Sequence, residues 1–295
     1  MKKIIAIPDL HLDKTFNVTY GDSTIWQQKA YDIVASIFKK EVNKKKDEVI
    51  FLGDIFNTTH PSFHSIFKFL SLIEGYNVTI ISGNHDVPKT KKYSVMDYLH
   101  EYATIVDRNT VSEVCTKNIY AIGWCDTQSM FEAKLKATIE HISNTLIFLH
   151  ASYPGWDNEM DNCLTKELLD LAKKNDIKLI SGHEHKSNIV QDTLYHLGAI
   201  MPMNIGELGN KYYWTSLDGR VLIDHSVGNL LTDDIIVCRD DIGSQGDKPV
   251  TIRPKKTTVK DLELEEKELS IDILDDFKKE AAKEGFDEEF IKGYL

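Results

Sequence analysis

In the first 185 residues, five short apolar runs each end on a cluster of polar residues able to bind metal. The run 4–7 is followed by Asp9-Leu10-His11, 49–52 by Gly53-Asp54-Ile55-Phe56-Asn57, and 78–81 by Gly83-Asn84-His85-Asp86. The run 145–149 is closed by His150, and 177–180 leads into Gly182-His183-Glu184-His185. Apolar runs this short, bounded by turn residues, read as buried strands. Segments of helical period lie between them, so the chain is expected to be α/β. In such folds ligand-binding groups gather beyond the carboxyl ends of the strands. Five clusters are therefore expected to converge on one rim.

The intervening helices are read from their apolar stripes. Between 26 and 42, Trp26, Ala30, Ile33, Val34, Ile37, Phe38 and Val42 recur on one face, with lysines on the other. A second helix is expected to carry Pro61 in its first turn, with Phe63, Ile66, Phe67, Leu70 and Ile73 buried. Others are expected over about 94–102, 129–142 and 164–174, with a further strand at 119–122. After His185 come strands at 193–200, 211–215 and 220–223, the last two joined by the turn Ser216-Leu217-Asp218-Gly219. The composition loosens near residue 226, which suggests a domain over 1–225 and a small appendage over 226–295 with an acidic, helical tail.

Charge bears on what the rim could meet. The net charge is −11, yet residues 261–295 hold 13 acidic residues against 5 lysines, a net of −8, leaving only −3 for residues 1–260. The body can still present a basic groove. No apolar run approaches the ~20 residues of a membrane span. Cys115, Cys125, Cys163 and Cys238 have no paired spacing and read as reduced thiols of a cytoplasmic protein.

The residue types point to two divalent cations. Asp9 and His11, two apart in extended chain, can grip one ion, and His183 and His185 share that spacing. Asp54 has two carboxylate oxygens, enough to bridge ions about 3.5–4 Å apart. Asn84 offers a neutral oxygen, which limits negative charge beside a phosphate. Mixed carboxylate and imidazole donors suit manganese, iron or zinc better than calcium or magnesium. Taken singly each piece is ordinary: D-x-H is common, G-D marks a turn, and a lone histidine such as His150 packs in a core. Their order, each after a strand, is what points to a metal centre.

In that order the motifs D-x-H, G-D-x-x-N, G-N-H-D, a single histidine and G-H-x-H resemble those of the calcineurin-like metallophosphoesterases, over residues 1 to about 225. The resemblance implies a layered β-sheet core flanked by helices. It implies one metal held by Asp9, His11, Asp54 and His185, and a second by Asp54, Asn84, His150 and His183. His85 takes the position of the histidine that assists the leaving group. Within that superfamily the chain is most similar to the nuclease subunit of SbcC/SbcD-type DNA-repair complexes, particularly the bacteriophage forms. The features shared with that group are Gly53-Asp54-Ile55-Phe56 before Pro61-Ser62, Gly182-His183-Glu184-His185 and Leu197-Gly198-Ala199-Ile200. It departs from them at Asn57, where they carry His or Asp. This likeness implies a manganese-dependent DNA exonuclease or endonuclease, an SbcC-like ATPase partner and a homodimer. Lys89, Lys91 and Lys92, just after the third motif, are candidate contacts to the DNA backbone. His60 and His64 read as surface or packing residues, and the lysines at 39, 40 and 44–46 belong to the opposite end of the sheet.

Two other functions share the fold. A phosphoprotein phosphatase or small-molecule phosphodiesterase would be expected to bring an arginine near the asparagine motif. Here Arg108, Arg220, Arg239 and Arg253 all fall outside the motifs. A non-catalytic scaffold would have lost ligands, whereas all seven ligand positions here carry competent donors.

Overall fold

The computed structural model describes residues 2–14, 24–88, 93–115, 118–153, 162–203, 207, 210–223, 235–237 and 252–254. The chain separates into residues 1–255 and 256–295, and every described residue lies in the first. Lys89, Lys91, Lys92, Cys238 and the acidic tail with its expected helices lie outside the described residues.

Two six-stranded sheets form the body. In the first, β1 (Ile4–Ile7), β2 (Glu48–Phe51), β3 (Asn77–Ile81) and β4 (Thr104–Val106) run parallel. The antiparallel hairpin of β11 (Tyr212–Thr215) and β12 (Gly219–Leu222) extends it from β1, giving the order β12-β11-β1-β2-β3-β4. The second sheet contains β5 (Val111–Glu113), β6 (Tyr120–Ile122), β7 (Thr145–His150), β8 (Ile177–Gly182), β9 (Asn188–Val190) and β10 (Leu194–His196). Its order is β5-β6-β7-β8-β10-β9, with the four central strands parallel and an antiparallel strand at each edge. A separate antiparallel pair joins β13 (Ile235–Val237) to β14 (Ile252–Pro254).

Strand side chains alternate between faces, and here both faces are buried. Ile4, Ala6, Ile50, Leu52 and Ile81 of the first sheet share one cluster with Ala121, Phe148 and Ile180 of the second. Phe148 meets Trp214 of β11 edge-on at 5.8 Å between ring centres. The sheets therefore pack face to face. On the outer face of the first, Phe51 stacks on Phe38 of α1 (Thr24–Glu41) and lies edge-on to Phe69 of α2 (Phe63–Ile73). On the outer face of the second, Ile147, Leu149 and Leu179 pack with Leu135 and Ile139 of α4 (Gln128–His141) and Leu168 and Leu169 of α5 (Lys166–Lys174). Each large side chain buried in this way contributes about 1.5–3 kcal/mol. The result is a helix–sheet–sheet–helix sandwich.

Three local expectations are corrected. Ser62 Oγ accepts from Ser65 N–H at 3.2 Å and caps α2, so Pro61 precedes the cap instead of sitting in the first turn. The buried row of α2 is Ser65, Phe69 and Ile73 with Leu70, each of the first three four residues from the next, and Phe63 is 69% exposed. The expected strand over 193–200 stops at His196 because Gly198 turns with a φ of 81°. Ala199 and Ile200 then donate backbone bonds to the carbonyls of His185 (3.3 Å) and Asp9 (3.1 Å). That segment ties the end of the second sheet to the end of the first. The short helix α3 (Val95–Leu99) begins at the Ser94 capping box.

Candidate metal centre

All five polar clusters lie at the carboxyl ends of β1, β2, β3, β7 and β8, along one edge of the sandwich. Three donor groups form there, each with ligand atoms within 4.8 Å of one another: Asp9, His11 and His185; His11, Asp54 and His85; Asp54, His150 and His183. Asp54 Oδ2 stands between the first and third groups, 3.6 Å from His11 Nε2 and 3.4 Å from His150 Nε2. Asn84 Oδ1 lies 3.0 Å from His150 Nε2 and 3.1 Å from His183 Nδ1. His11 Nε2 and His185 Nε2 face each other at 3.1 Å. The structure thus brings Asp9, His11, Asp54, Asn84, His85, His150, His183 and His185 into one cluster. Asp9, His11, Asp54 and His150 are buried, whereas Asn84, His85, His183 and His185 are half-buried and form its open side.

The chain bends sharply to achieve this. His11, Asp54 and His183 adopt left-handed φ values of 46°, 50° and 77°, uncommon for residues with side chains. Gly83 leaves no room for a Cβ, which would collide with Asp54 Oδ1 and the Asp54 backbone. Buried Asp86 accepts from the backbone N–H groups of Asp54 (2.7 Å), Gly83 (3.0 Å) and Phe56 (3.4 Å), fixing both turns. Burial and the Asp54 charge push its carboxyl up to about 7.

Partners of the second ring nitrogens set the tautomers. His150 Nδ1 donates to Leu52 O at 2.7 Å, leaving Nε2 for the centre. His185 Nδ1 donates to Glu207 Oε1 at 3.1 Å, and Glu207 Oε2 accepts from Met203 N–H at 2.7 Å. The buried Lys211 ammonium donates to His185 O at 2.7 Å. His85 Nδ1 donates to Asn57 O at 2.9 Å, while the backbone N–H of His85 bonds Asp54 Oδ1 at 2.9 Å. Trp124 lies against the rings of His183 (5.3 Å) and His150 (5.8 Å) and restricts them. Glu207, Lys211 and Trp124 are contributors from outside the motifs, and Asp86, though inside one, serves by holding backbone N–H groups.

Protonation follows from burial and charge. Burial holds His11 and His183 down to about 3, so both are neutral and able to ligate. Burial would also lower His150, but the Asp54 carboxylate lifts it to about 9. Burial would raise Asp54, yet His150, His11 and His85 hold it well below the usual carboxylate range. Burial opposes the rise of His185 as well, but the hydrogen bond to Glu207 prevails and lifts it.

The donor set fits divalent cations. His11 Nδ1 is buried with no hydrogen-bond partner among the described residues, and its Nε2 meets the Nε2 of another imidazole at 3.1 Å, a contact that only one of the two rings can enter as donor. Buried imidazoles left so poorly matched to each other, beside carboxylates, match what a cation requires.

Such a sandwich with this rim is that of a metal-dependent phosphoesterase. The calcineurin-like phosphoesterase family profile matches residues 2–187, and the chain belongs to that family. Over 161 residues it is 27% identical to the DNA double-strand break repair protein Mre11 of Saccharolobus solfataricus, covering 51% of this chain and 41% of that relative. The aligned stretch thus spans about two fifths of the relative's length. Solved structures similar to the chain include a candidate 5′-nucleotidase from Staphylococcus aureus, at 10% identity over 96% of this chain and 58% of that one, TM-score 0.48. Another is the calcineurin-like phosphoesterase YfkN from Bacillus subtilis, at 14% identity over 72% of this chain and 83% of that one, TM-score 0.39. No helix among the described residues is long and apolar enough to cross a membrane.

Proposed function

We propose that this chain is a two-metal phosphodiesterase acting on DNA, a nuclease of the SbcD type. The observation that carries the two-metal reading is the position of Asp54 Oδ2 between two donor groups. In this reading Asp9, His11, Asp54 and His185 hold one ion, and Asp54, Asn84, His150 and His183 the other. We assign Mn²⁺, which suits mixed oxygen and imidazole donors. Two such ions would supply Lewis acidity at the phosphate and a nucleophile at neutral pH. The protein's own part is to orient these donors, to leave the half-buried side open to the phosphate, and to manage a proton at His85. With Nδ1–H held by Asn57 O, Nε2 faces the centre, and in the protonated ring it gives its proton to the departing sugar oxygen as the phosphorus–oxygen bond breaks.

The choice of DNA as substrate is supported by the likeness to Mre11 and by the absence of an arginine from the motifs. Lys89, Lys91 and Lys92 are assigned to the DNA backbone, and an SbcC-like ATPase partner and a homodimer are expected on the same likeness. The test is a turnover panel in Mn²⁺ with single- and double-stranded DNA, a cyclic nucleotide, a phosphopeptide and an aryl phosphodiester. DNA cleavage should need the metal, stop with chelator and weaken as salt rises. Cleavage of the phosphopeptide with DNA left intact would assign the chain to the phosphatases instead.

A further inference from the structure

The loop after β2 carries the carbonyl that orients His85, and something must hold that carbonyl still. His85 Nδ1 donates to the main chain of Asn57, not to its side chain. The loop over 53–60 is free of regular structure, and Asn57 and Thr58 lie near its open side. Asp86 holds the start of this loop through Asp54 and Phe56 N–H, and a second side chain from outside grips Asn57 and Thr58. Asp13 Oδ1 accepts from Asn57 N–H at 2.6 Å, and Asp13 Oδ2 accepts from Thr58 Oγ1 at 3.3 Å. The two carboxylate oxygens therefore bracket the Asn57–Thr58 peptide, whose carbonyl accepts the hydrogen bond from His85 Nδ1–H. Asp13 itself sits at a φ of 155°, at the edge of the region that favours glycine, and its N–H bonds back to His11 O at 3.1 Å. A side chain kept in so unfavourable a backbone conformation is expected where its contact is needed.

We propose that Asp13 is a positioning residue for His85, acting through the Asn57–Thr58 peptide. The inference rests on the reading of His85 as the group that protonates the leaving oxygen, but its geometric part stands apart from that reading. Asp13 belongs to none of the donor groups of the centre. It fixes the carbonyl, the carbonyl fixes the tautomer and ring angle of His85, and Nε2 is thereby kept aimed at the centre. Removing Asp13 should release the ring without emptying the metal site.

The test combines a ring-nitrogen readout with a mutant cycle on the Zn²⁺- and Mn²⁺-loaded full chain. In Zn²⁺-loaded protein labelled with ¹⁵N-histidine, His85, assigned by its loss in His85→Ala, should show a protonated Nδ1. Asp13→Ala should convert that signal to a mixture of tautomers, and Asp13→Asn, which keeps one acceptor oxygen, should do so only in part. With Mn²⁺, Asp13→Ala should retain its metal content and KM for DNA while kcat falls by about tenfold, with a smaller loss on an activated aryl ester. In the His85→Ala background Asp13→Ala should add nothing, because the two residues act in series. A locked His85 tautomer in Asp13→Ala, or an additive loss in the double variant, would overturn the proposal while leaving His85 in its role. A released tautomer together with full DNA turnover in His85→Ala would overturn the proton-donor reading while leaving Asp13 as the positioning residue. If Asp13→Ala misfolds by circular dichroism, Asp13→Asn carries both measurements.

Discussion

The rim of the first sheet supplies every oxygen donor of the centre, Asp9, Asp54 and Asn84, whereas the rim of the second supplies imidazole alone, from His150, His183 and His185. The two rims are also held differently. Left-handed turns serve both, at His11 and Asp54 on the first and at His183 on the second, and the first adds three N–H groups gathered on Asp86. On the second, the essential constraint is which ring nitrogen carries the proton, set by Leu52 O for His150 and by Glu207 for His185. A carboxylate can offer either oxygen, so it needs only to be placed. An imidazole offers one lone pair and must also be in the right tautomer. Both donor groups that span the sheets draw on each rim, so the centre depends on the packing of Phe148 and Ile180 against Ile50 and Leu52.

The largest effect should come from Asp54, the one residue assigned to both proposed ions. Asp54→Ala removes the oxygen between them and should reduce turnover to background with loss of both ions, read by metal analysis of the purified protein. Two ions retained with near-normal turnover would break the comparison at its centre. The next effect separates chemistry from metal holding on the first rim. His85→Ala should keep its metals and its DNA affinity and lose about 10²–10⁴ in turnover. The loss should be greater on DNA, whose alkoxide leaving group needs a proton, than on an activated aryl ester. An equal loss on both with a missing ion would make His85 a ligand.

The second rim is tested at Glu207. Partners of ligating histidines typically contribute 10–100-fold to metal affinity. Glu207→Ala should therefore weaken one ion by about that factor and leave the other unchanged, as read by competition with a chromophoric chelator. Glu207→Gln, which keeps an acceptor oxygen, should lose less. Equal weakening of both ions would mean that Glu207 supports the fold and not the His185 tautomer.

The clustering of the candidate donors was legible because each follows a run of buried residues and sits in a short spaced motif, so strand and donor announce each other. The partners were not, for identifiable reasons. Glu207 lies 22 residues beyond His185 and past the matched family stretch, so no spacing points to it. Asp13 is adjacent to a motif, but its role appears only when the β2 loop folds over it. Asp86 stood inside G-N-H-D, yet an aspartate that only accepts backbone N–H groups reads in sequence like one that binds metal. The strands β4, β5 and β9 have three residues each, too short for a period to show. Strands buried on both faces are apolar throughout, so their pattern does not say which of two sheets they join. The C-terminal division expected near residue 226 lies largely outside the described residues.

The smallest expected effect is also the finest test of the difference between the rims, because it counts protons. In the metal-free protein burial opposes a charge on His150, but the Asp54 carboxylate prevails and lifts its pKa to about 9, so near pH 7 a proton occupies the place where a cation would sit. His11 and His183, held to about 3, carry no such proton. Folded His150 thus lies above its unfolded value of about 6.5. Its contribution to metal-free stability is fully present below about pH 6.5 and is lost as pH rises through about 9. Metal binding must expel the same proton, so apparent affinity should climb with pH by up to about tenfold per unit and level off above about 9. Calorimetric titration of Mn²⁺ in buffers of different ionisation enthalpy should find proton release near pH 7.5, and thermal melts should show the gap between metal-loaded and metal-free protein widening over the same range. In His150→Ala the remaining ion should bind with less proton release. A pH-independent affinity between 7 and 9 would show that the imidazole rim is already deprotonated, and that the two rims differ in their atoms but not in what must leave before a metal can enter.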